Sequence, residues 1–190
     1  MSAQDAAPSL ARQRFASRTH YALLGGGALA AVAWSLARGA HPVLAAAWLA
    51  GGVALLSLVE YLVHRHLFHG QGLLAAVHAQ HHEHPEREQI DTASYWLPLL
   101  PPFPVAWALW LATGDAAAGA CFAAGMCVGY VRFRYVHRRL HEHPERSPAL
   151  AAFHQGHHDD EACDFGVTTR LWDRLFGTEA ARVAADAGRP

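Results

Sequence analysis

The segment from Pro42 to Val63 is strongly apolar and carries one charged residue, Glu60, in its last turn. A helix of that length crosses the hydrocarbon core of a bilayer, and Pro42 suits its first turn. Three further apolar stretches accompany it, at 21–37, 95–113 and 116–131. The first lies near the lower limit for spanning, and Gly25, Gly26 and Gly27 weaken it as a helix. Basic residues ahead of it leave a signal peptide as the alternative, disfavoured because the apolar core is long and no clean cleavage site follows. The third stretch opens on Pro98, Pro101, Pro102 and Pro104, so regular helix is expected from about Pro104, after a shallow or re-entrant start. Hydrophobic residues make up 52% of the chain and charged residues 16%, below the ~25% usual in soluble domains. The expected fold class is therefore an all-α membrane protein with four transmembrane helices and a helical cap.

Basic residues cluster before the first stretch, after the second and after the fourth. The two intervening turns hold Arg38 alone. By the positive-inside rule both termini and the cap are cytoplasmic. Residues 1–19, with Arg12, Arg14 and Arg18, read as a flexible arm, 20–178 as the membrane domain and 179–190 as a flexible tail. The formal net charge of −1 and the lack of a basic stripe argue against a nucleic-acid partner. Cys121, Cys127 and Cys163 form no CxxC pair, which disfavours both a disulfide framework and a zinc–thiolate site.

Histidine is the anomaly: 15 residues, as many as lysine and arginine together. Ten fall in four ordered clusters: His64 and His69; His78, His81 and His82; His137 and His141; His154, His157 and His158. Residues three and four apart share a helix face, so the second and fourth clusters can each converge, and His137 and His141 are co-facial. His64 and His69 diverge by about 140° on a regular helix. They suit either two different metals or a helix whose winding changes there. Ten imidazoles are too many for one metal; two metals with about five nitrogens each keep an open position on both. Imidazole suits iron, copper, zinc and nickel alike, but oxidising an unactivated C–H bond needs a redox metal, which favours iron over zinc. A histidine-rich metal buffer and a zinc hydrolase are the weaker readings. Transport is disfavoured because the helix centres carry no polar residues. His20, His41, His66, His84 and His143 read as bystanders, with His84 and His143 the nearest to a ligand or supporting role. Glu60, Asp160 and Asp164 are candidates for orienting imidazoles through the second ring nitrogen.

His82-Glu83-His84-Pro85-Glu86-Arg87 recurs as His141-Glu142-His143-Pro144-Glu145-Arg146. Each copy ends a half containing two apolar stretches, which suggests similar halves without establishing a duplication. Near the C-terminus, Leu171, Trp172, Leu175 and Phe176 follow helical spacing, and Thr168 or Thr169 can cap that short helix. Its expected role is packing or an interfacial anchor.

The ordered pattern HX4H, HX2HH, HX3H, HX2HH resembles the fatty acid hydroxylase superfamily, most closely its fatty acid 2-hydroxylases. The residues that carry this are Glu60 to His69, Pro101-Pro102-Phe103-Pro104, Gly129-Tyr130 leading to His137-Arg138-Arg139-Leu140-His141, and the ending from Asp164 to Thr178. The likeness spans about residues 55–178. It implies a membrane-bound monooxygenase with two iron ions, zinc being able to occupy the site in isolated protein. The ten clustered histidines would be the ligands. The substrate would be a fatty acid or sphingolipid acyl chain, hydroxylated at C2 with O2. A carotenoid or sterol oxidase of the same mechanism, and desaturation rather than hydroxylation, stay open. Many eukaryotic 2-hydroxylases carry an N-terminal cytochrome b5-like domain and this sequence shows none. A separate ferredoxin, flavoprotein or cytochrome b5-type protein is then the expected electron donor.

The topology makes a first prediction. Reporter fusions at the 114–115 turn are expected to report the non-cytoplasmic side and fusions at either terminus the cytoplasmic side; a cytoplasmic 114–115 turn overturns the arrangement.

Overall fold

A computed structural model describes residues 10–85 and 102–180. Helices dominate, and no strand occurs among the described residues. They are α1 (Leu10–Ala37), α2 (Pro42–Val63), α3 (Leu73–Glu83), α4 (Pro102–Thr113), α5 (Ala116–Glu142), α6 (Pro148–Asp159) and α7 (Leu171–Phe176). A π-helical turn, His64–Phe68, prolongs α2, and a 3-10 turn, Pro144–Arg146, precedes α6. Three helical segments are long and apolar enough to cross a membrane: Ser17–Ala37, Pro42–Phe68 and Ala116–Glu142. The expected third span is only partly visible. Its described portion, α4, has 12 residues, about 18 Å at 1.5 Å per residue and short of a crossing. Residues 95–101 of that stretch lie outside the described residues, as do 1–9 of the expected arm and 181–190 of the expected tail. Two boundaries differ from expectation. α1 starts at Leu10, within the segment read as an arm, because nothing from Leu10 onward breaks a helix. α4 starts at Pro102 rather than Pro104: proline is tolerated in a first helical turn, where its missing N–H has no partner to lose.

The chain divides into two compact units, Met1–Val53 with Glu88–Val131, and Ala54–Arg87 with Arg132–Pro190. α2 and α5 contribute residues to both.

In the first unit, glycine sets how closely helices approach. A Cβ on Gly52 would lie 2.1 Å from the Phe122 carbonyl oxygen, and one on Gly125 2.1 Å from that of Leu49. Such backbone contact between apolar helices supplies the van der Waals packing that the hydrophobic effect cannot supply in lipid. Around it, Trp48 meets Phe122 edge-on and buried Ser35 donates to Ala31 O at 2.8 Å, satisfying its hydroxyl within the helix.

In the second unit, Leu140, Ala151 and Val167 form a small core, with Phe133, Val136 and Leu150 against it. It joins α5, α6 and the loop before α7. That loop holds buried Phe165, Val167 and Thr168. Neither Thr168 nor Thr169 caps α7 as expected: its N-cap is Arg170, without a side-chain cap bond, and Thr169, one residue further out, only accepts from the Leu171 N–H through Oγ1 at 3.2 Å. α7 ends at Gly177, whose φ of 69° is left-handed. Trp172 Nε1 donates to Ser57 Oγ at 3.1 Å, while Leu171, Leu175 and Phe176 stay exposed, as an interfacial helix requires.

Gly125→Val is expected to lower the melting temperature of the detergent-solubilised protein, by about 1–3 kcal/mol of overpacking. Gly26→Ala, whose new methyl meets nothing within 4 Å, should match or exceed the wild type. Equal melting of Gly125→Val and wild type would show that this glycine contact does not set the helix spacing.

Candidate metal centre

All ten clustered histidines lie in the second unit and form two groups. One contains His64, His69, His78, His82 and His157; the other His81, His137, His141, His154 and His158. Within each group the ligating atoms lie within 4.8 Å of one another. Three local features of the chain produce this arrangement.

First, the π-helical turn closes with the His69 N–H bonded to His64 O at 3.2 Å. An i→i+5 bond widens the turn, so residues five apart line up instead of diverging. His64 and His69 therefore share one group, their Nε2 atoms 3.3 Å apart. Of the two readings left open by their spacing, the change of winding holds, and the two-metal reading of that pair is corrected.

Second, the HX2HH clusters do not converge as units. His78 and His82, four apart on α3, stay together while His81 joins the other group; on α6, His154 and His158 stay together and His157 crosses. A step of three turns a helix by about 300° and a step of four by about 400°, which places the two residues about 60° to one side and about 40° to the other side of the first. Two groups placed side by side can each take one of them. The groups abut, with the His82 and His158 rings stacked at 4.3 Å.

Third, the two groups mirror each other. Each takes a histidine pair from a long helix, the i, i+4 pair of the following HX2HH cluster, and the middle histidine of the other half's cluster. His82 thus corresponds to His158. The repeated hexapeptide had paired His82 with His141, so it is not the repeat that the site is built on.

The ring nitrogens carry an electrostatic conflict. His64 Nδ1 bonds to the Phe165 carbonyl, and His157 Nδ1 donates to the Cys163 carbonyl at 2.8 Å. A carbonyl only accepts, so both Nδ1 atoms carry the proton and both Nε2 atoms present a bare lone pair. His69 Nε2 nevertheless lies 2.9 Å from His157 Nε2, and His64 Nε2 3.0 Å from His78 Nε2. In the other group His154 Nε2 lies 3.0 Å from His141 Nε2, and the buried Nε2 atoms of His81 and His158 have no hydrogen-bond partner. Burial and neighbouring imidazoles hold these rings neutral: His78 and His158 are pushed down to about 2, His81 to about 3 and His157 to about 4. Burial, its largest cause, also holds His154 well below the usual imidazole range. Neutral, buried, inward-facing lone pairs are the donor set that a transition-metal ion takes, so the residues fit metal ions.

The expected carboxylates serve the loop 163–168 rather than the rings directly. Glu60 Oε1 accepts from the Val167 N–H at 2.9 Å and the Thr168 N–H at 2.8 Å, and Oε2 accepts from Thr168 Oγ1 at 2.9 Å. Arg132 donates to Thr168 O at 2.8 Å. Buried Asp164, held at a left-handed φ of 57°, accepts from the Ala180 N–H at 2.7 Å and ties the tail to the loop. Asp160 is exposed and accepts from the Ala162 N–H at 3.1 Å; only its charge reaches His157. Two carboxylates escaped the sequence reading. Asp173 accepts from the Phe165 and Gly166 N–H groups, each at 2.8 Å, and Glu161 lies 3.2 Å from His69 Nδ1. Asp173 sits inside an apolar stripe and Glu161 inside an acidic run, so neither stands out by pattern. Of the presumed bystanders, His20, His41, His66, His84 and His143 belong to neither group; His143 pairs with Glu145 at 3.4 Å.

A helical protein with three segments of membrane-spanning length and a histidine cluster able to hold metal ions defines the class. Residues 49–178 match the fatty acid hydroxylase family. The chain belongs to that family. It is 34% identical over 145 residues to fatty acid 2-hydroxylase of Macaca fascicularis, covering 67% of this chain and 38% of that protein. To dihydroceramide fatty acyl 2-hydroxylase FAH2 of Arabidopsis thaliana it is 30% identical over 146 residues, covering 67% and 58% respectively. The chain thus spans well under two thirds of either relative. A solved structure of full-length scs7p, with only the hydroxylase domain visible, shares the fold: TM-score 0.60, 24% identity, 85% of this chain and 67% of that one.

The neutral rings link stability to pH. The unfolded chain's histidines take protons below about 6.5, whereas the folded rings of His78, His81, His157 and His158 resist until about 4 or lower. Between those values the unfolded state binds more protons, so stability falls as pH falls. The melting temperature of metal-free protein in detergent is expected to drop steadily from pH 7 to pH 4.5; a flat profile would mean that the rings are not held neutral.

Proposed function

We propose that this chain hydroxylates a lipid acyl chain, a fatty acid or the acyl group of a sphingolipid, at C2, using O2 and electrons from a separate protein. The observation that carries the reading is the pairing of two five-imidazole groups within a chain of the fatty acid hydroxylase family. The family's named relatives, fatty acid and dihydroceramide 2-hydroxylases, supply the substrate class and the position of attack. All ten clustered histidines, His64, His69, His78, His81, His82, His137, His141, His154, His157 and His158, are proposed as ligands of two iron ions. Zinc could occupy the same nitrogens but lacks redox chemistry.

When bound, the iron pair supplies the redox chemistry by which one oxygen atom of O2 enters a C–H bond and the other leaves as water, at the cost of two electrons and two protons. The protein's own contribution is placement. The Phe165 and Cys163 carbonyls fix the Nδ1 protons of His64 and His157, which leaves their Nε2 atoms as donors. Glu60, Asp173 and Asp164 hold the loop bearing those carbonyls. Burial keeps the His78, His81, His154, His157 and His158 rings unprotonated near neutral pH. Four transmembrane helices, counting 95–113, with both termini and the centre on the cytoplasmic side, would let an acyl chain enter laterally from the bilayer and electrons arrive from the aqueous side. Ferredoxin, flavoprotein and cytochrome b5-type donors all suit that geometry.

Expression with a reducing partner, followed by lipid mass spectrometry, should reveal 2-hydroxy acyl chains absent from control cells. His81→Ala and His157→Ala should each cut that product by about 100-fold or more and lower bound metal, since removing even a ligand's supporting partner costs 10–100-fold. His20→Ala should do neither. Hydroxylated sterol or carotenoid, with acyl chains untouched, would overturn the substrate assignment.

A further inference from the structure

The near-twofold arrangement of the histidines throws one departure into relief. Glu161 stands three residues after His158, and the corresponding position after His82 is Pro85. One half therefore carries a carboxylate where the other has an apolar imino acid. Glu161 projects onto the first group alone: Oε2 lies 3.2 Å from His69 Nδ1 and Oε1 3.4 Å from His82 Nδ1. The His82 Nδ1 is buried without a hydrogen-bond partner, and the Glu161 side chain is 58% exposed. A small rotation of that mobile carboxylate brings the second ring within bonding range. Among the described residues no carboxylate pairs with a ring of the second group, where His154 Nδ1 is buried and unpartnered. The nearby charge there is of the opposite sign, since the Arg134 guanidinium acts on His81.

We propose that Glu161 is a positioning residue that makes the two metal sites unequal, binding one carboxylate to both His69 and His82 so that the first group holds its ion more tightly than the second. The inference rests on the two-metal reading above. A carboxylate on Nδ1 fixes ring orientation and tautomer and raises the basicity of Nε2. One carboxylate acting on two ligands of one ion does this twice, and its negative charge further favours a cation. The second group has neither aid.

The experiment is metal release from the full chain, loaded with iron and kept reduced in detergent, into excess chelator. Wild type should lose metal in two phases, with His69→Ala deleting the slow one and His141→Ala the fast one. Glu161→Gln keeps the shape of the side chain but can accept from only one ring. It should speed the slow phase by about 10-fold or more and leave the fast phase unchanged. In 57Fe-loaded protein, one of two Mössbauer doublets should move while the other stays, a signature that general loosening would not give. Glu145→Gln, in the exposed contact with His143 and Arg146, should alter nothing. Two phases that Glu161→Gln leaves untouched, or speeds equally, overturn the role of Glu161 while sparing the two-metal centre. Wild type that retains only one ion overturns both.

Discussion

Ten imidazoles turned with their lone pairs toward one another are what the second unit is organised to tolerate. In apolar surroundings an unpaired buried nitrogen costs free energy, and several at about 3 Å repel one another. Protonation would relieve the conflict in water, but burial forbids it here. A cation is the remaining remedy, and the two groups have the donor set to hold one. The structural oddities follow from that demand. The π-helical turn aligns His64 with His69, the side-by-side groups divide each HX2HH cluster, and an irregular loop supplies backbone carbonyls to two rings.

That loop sets what the C-terminal segment has to supply. Residues 163–168 present Cys163 and Phe165 carbonyls to His157 and His64, which requires the intervening N–H groups to find partners elsewhere. Glu60 takes two and Asp173 takes two. Gly166 is needed because a Cβ there would lie 2.2 Å from Thr169 O and 2.6 Å from the Asp173 carboxylate. The loop is then closed by Tyr61, whose hydroxyl meets Thr178 Oγ1 at 3.0 Å and whose ring stacks on Phe176. An aromatic stripe that reads in sequence as packing thus helps hold the loop that orients the ring of His157, 14 to 19 residues earlier in the chain, and that of His64 on another helix.

Much of this was legible in the residues. Apolar length marked the spans at Pro42–Phe68 and Ala116–Glu142, because bilayer thickness fixes helix length directly. Four-residue spacing marked His78 with His82, His137 with His141 and His154 with His158, because helical geometry alone brings such pairs together. What was not legible depends on longer-range registration. The winding of residues 64–68 is decided by what His64 and His69 must reach. The crossing of His81 and His157 depends on where a neighbouring helix lies. The partners of His64 and His157 are main-chain carbonyls, which every residue has and no side-chain pattern reveals. Glu60, Asp160 and Asp164 looked alike as candidates; the fold gives the first and third structural bonds to the loop and tail and leaves Asp160 at the surface.

The crossing histidines also bear on why the centre forms as one piece. Without His157 the first group keeps four imidazoles, and without His81 so does the second; each completes its set only from the other half's helix. Packing α3 against the group of α5 and α6 is therefore part of building both sets. The reciprocal frame is nonetheless unevenly furnished: the Phe165 and Cys163 carbonyls and the Glu161 carboxylate meet rings of the first group, whereas the Arg134 guanidinium acts on His81 of the second.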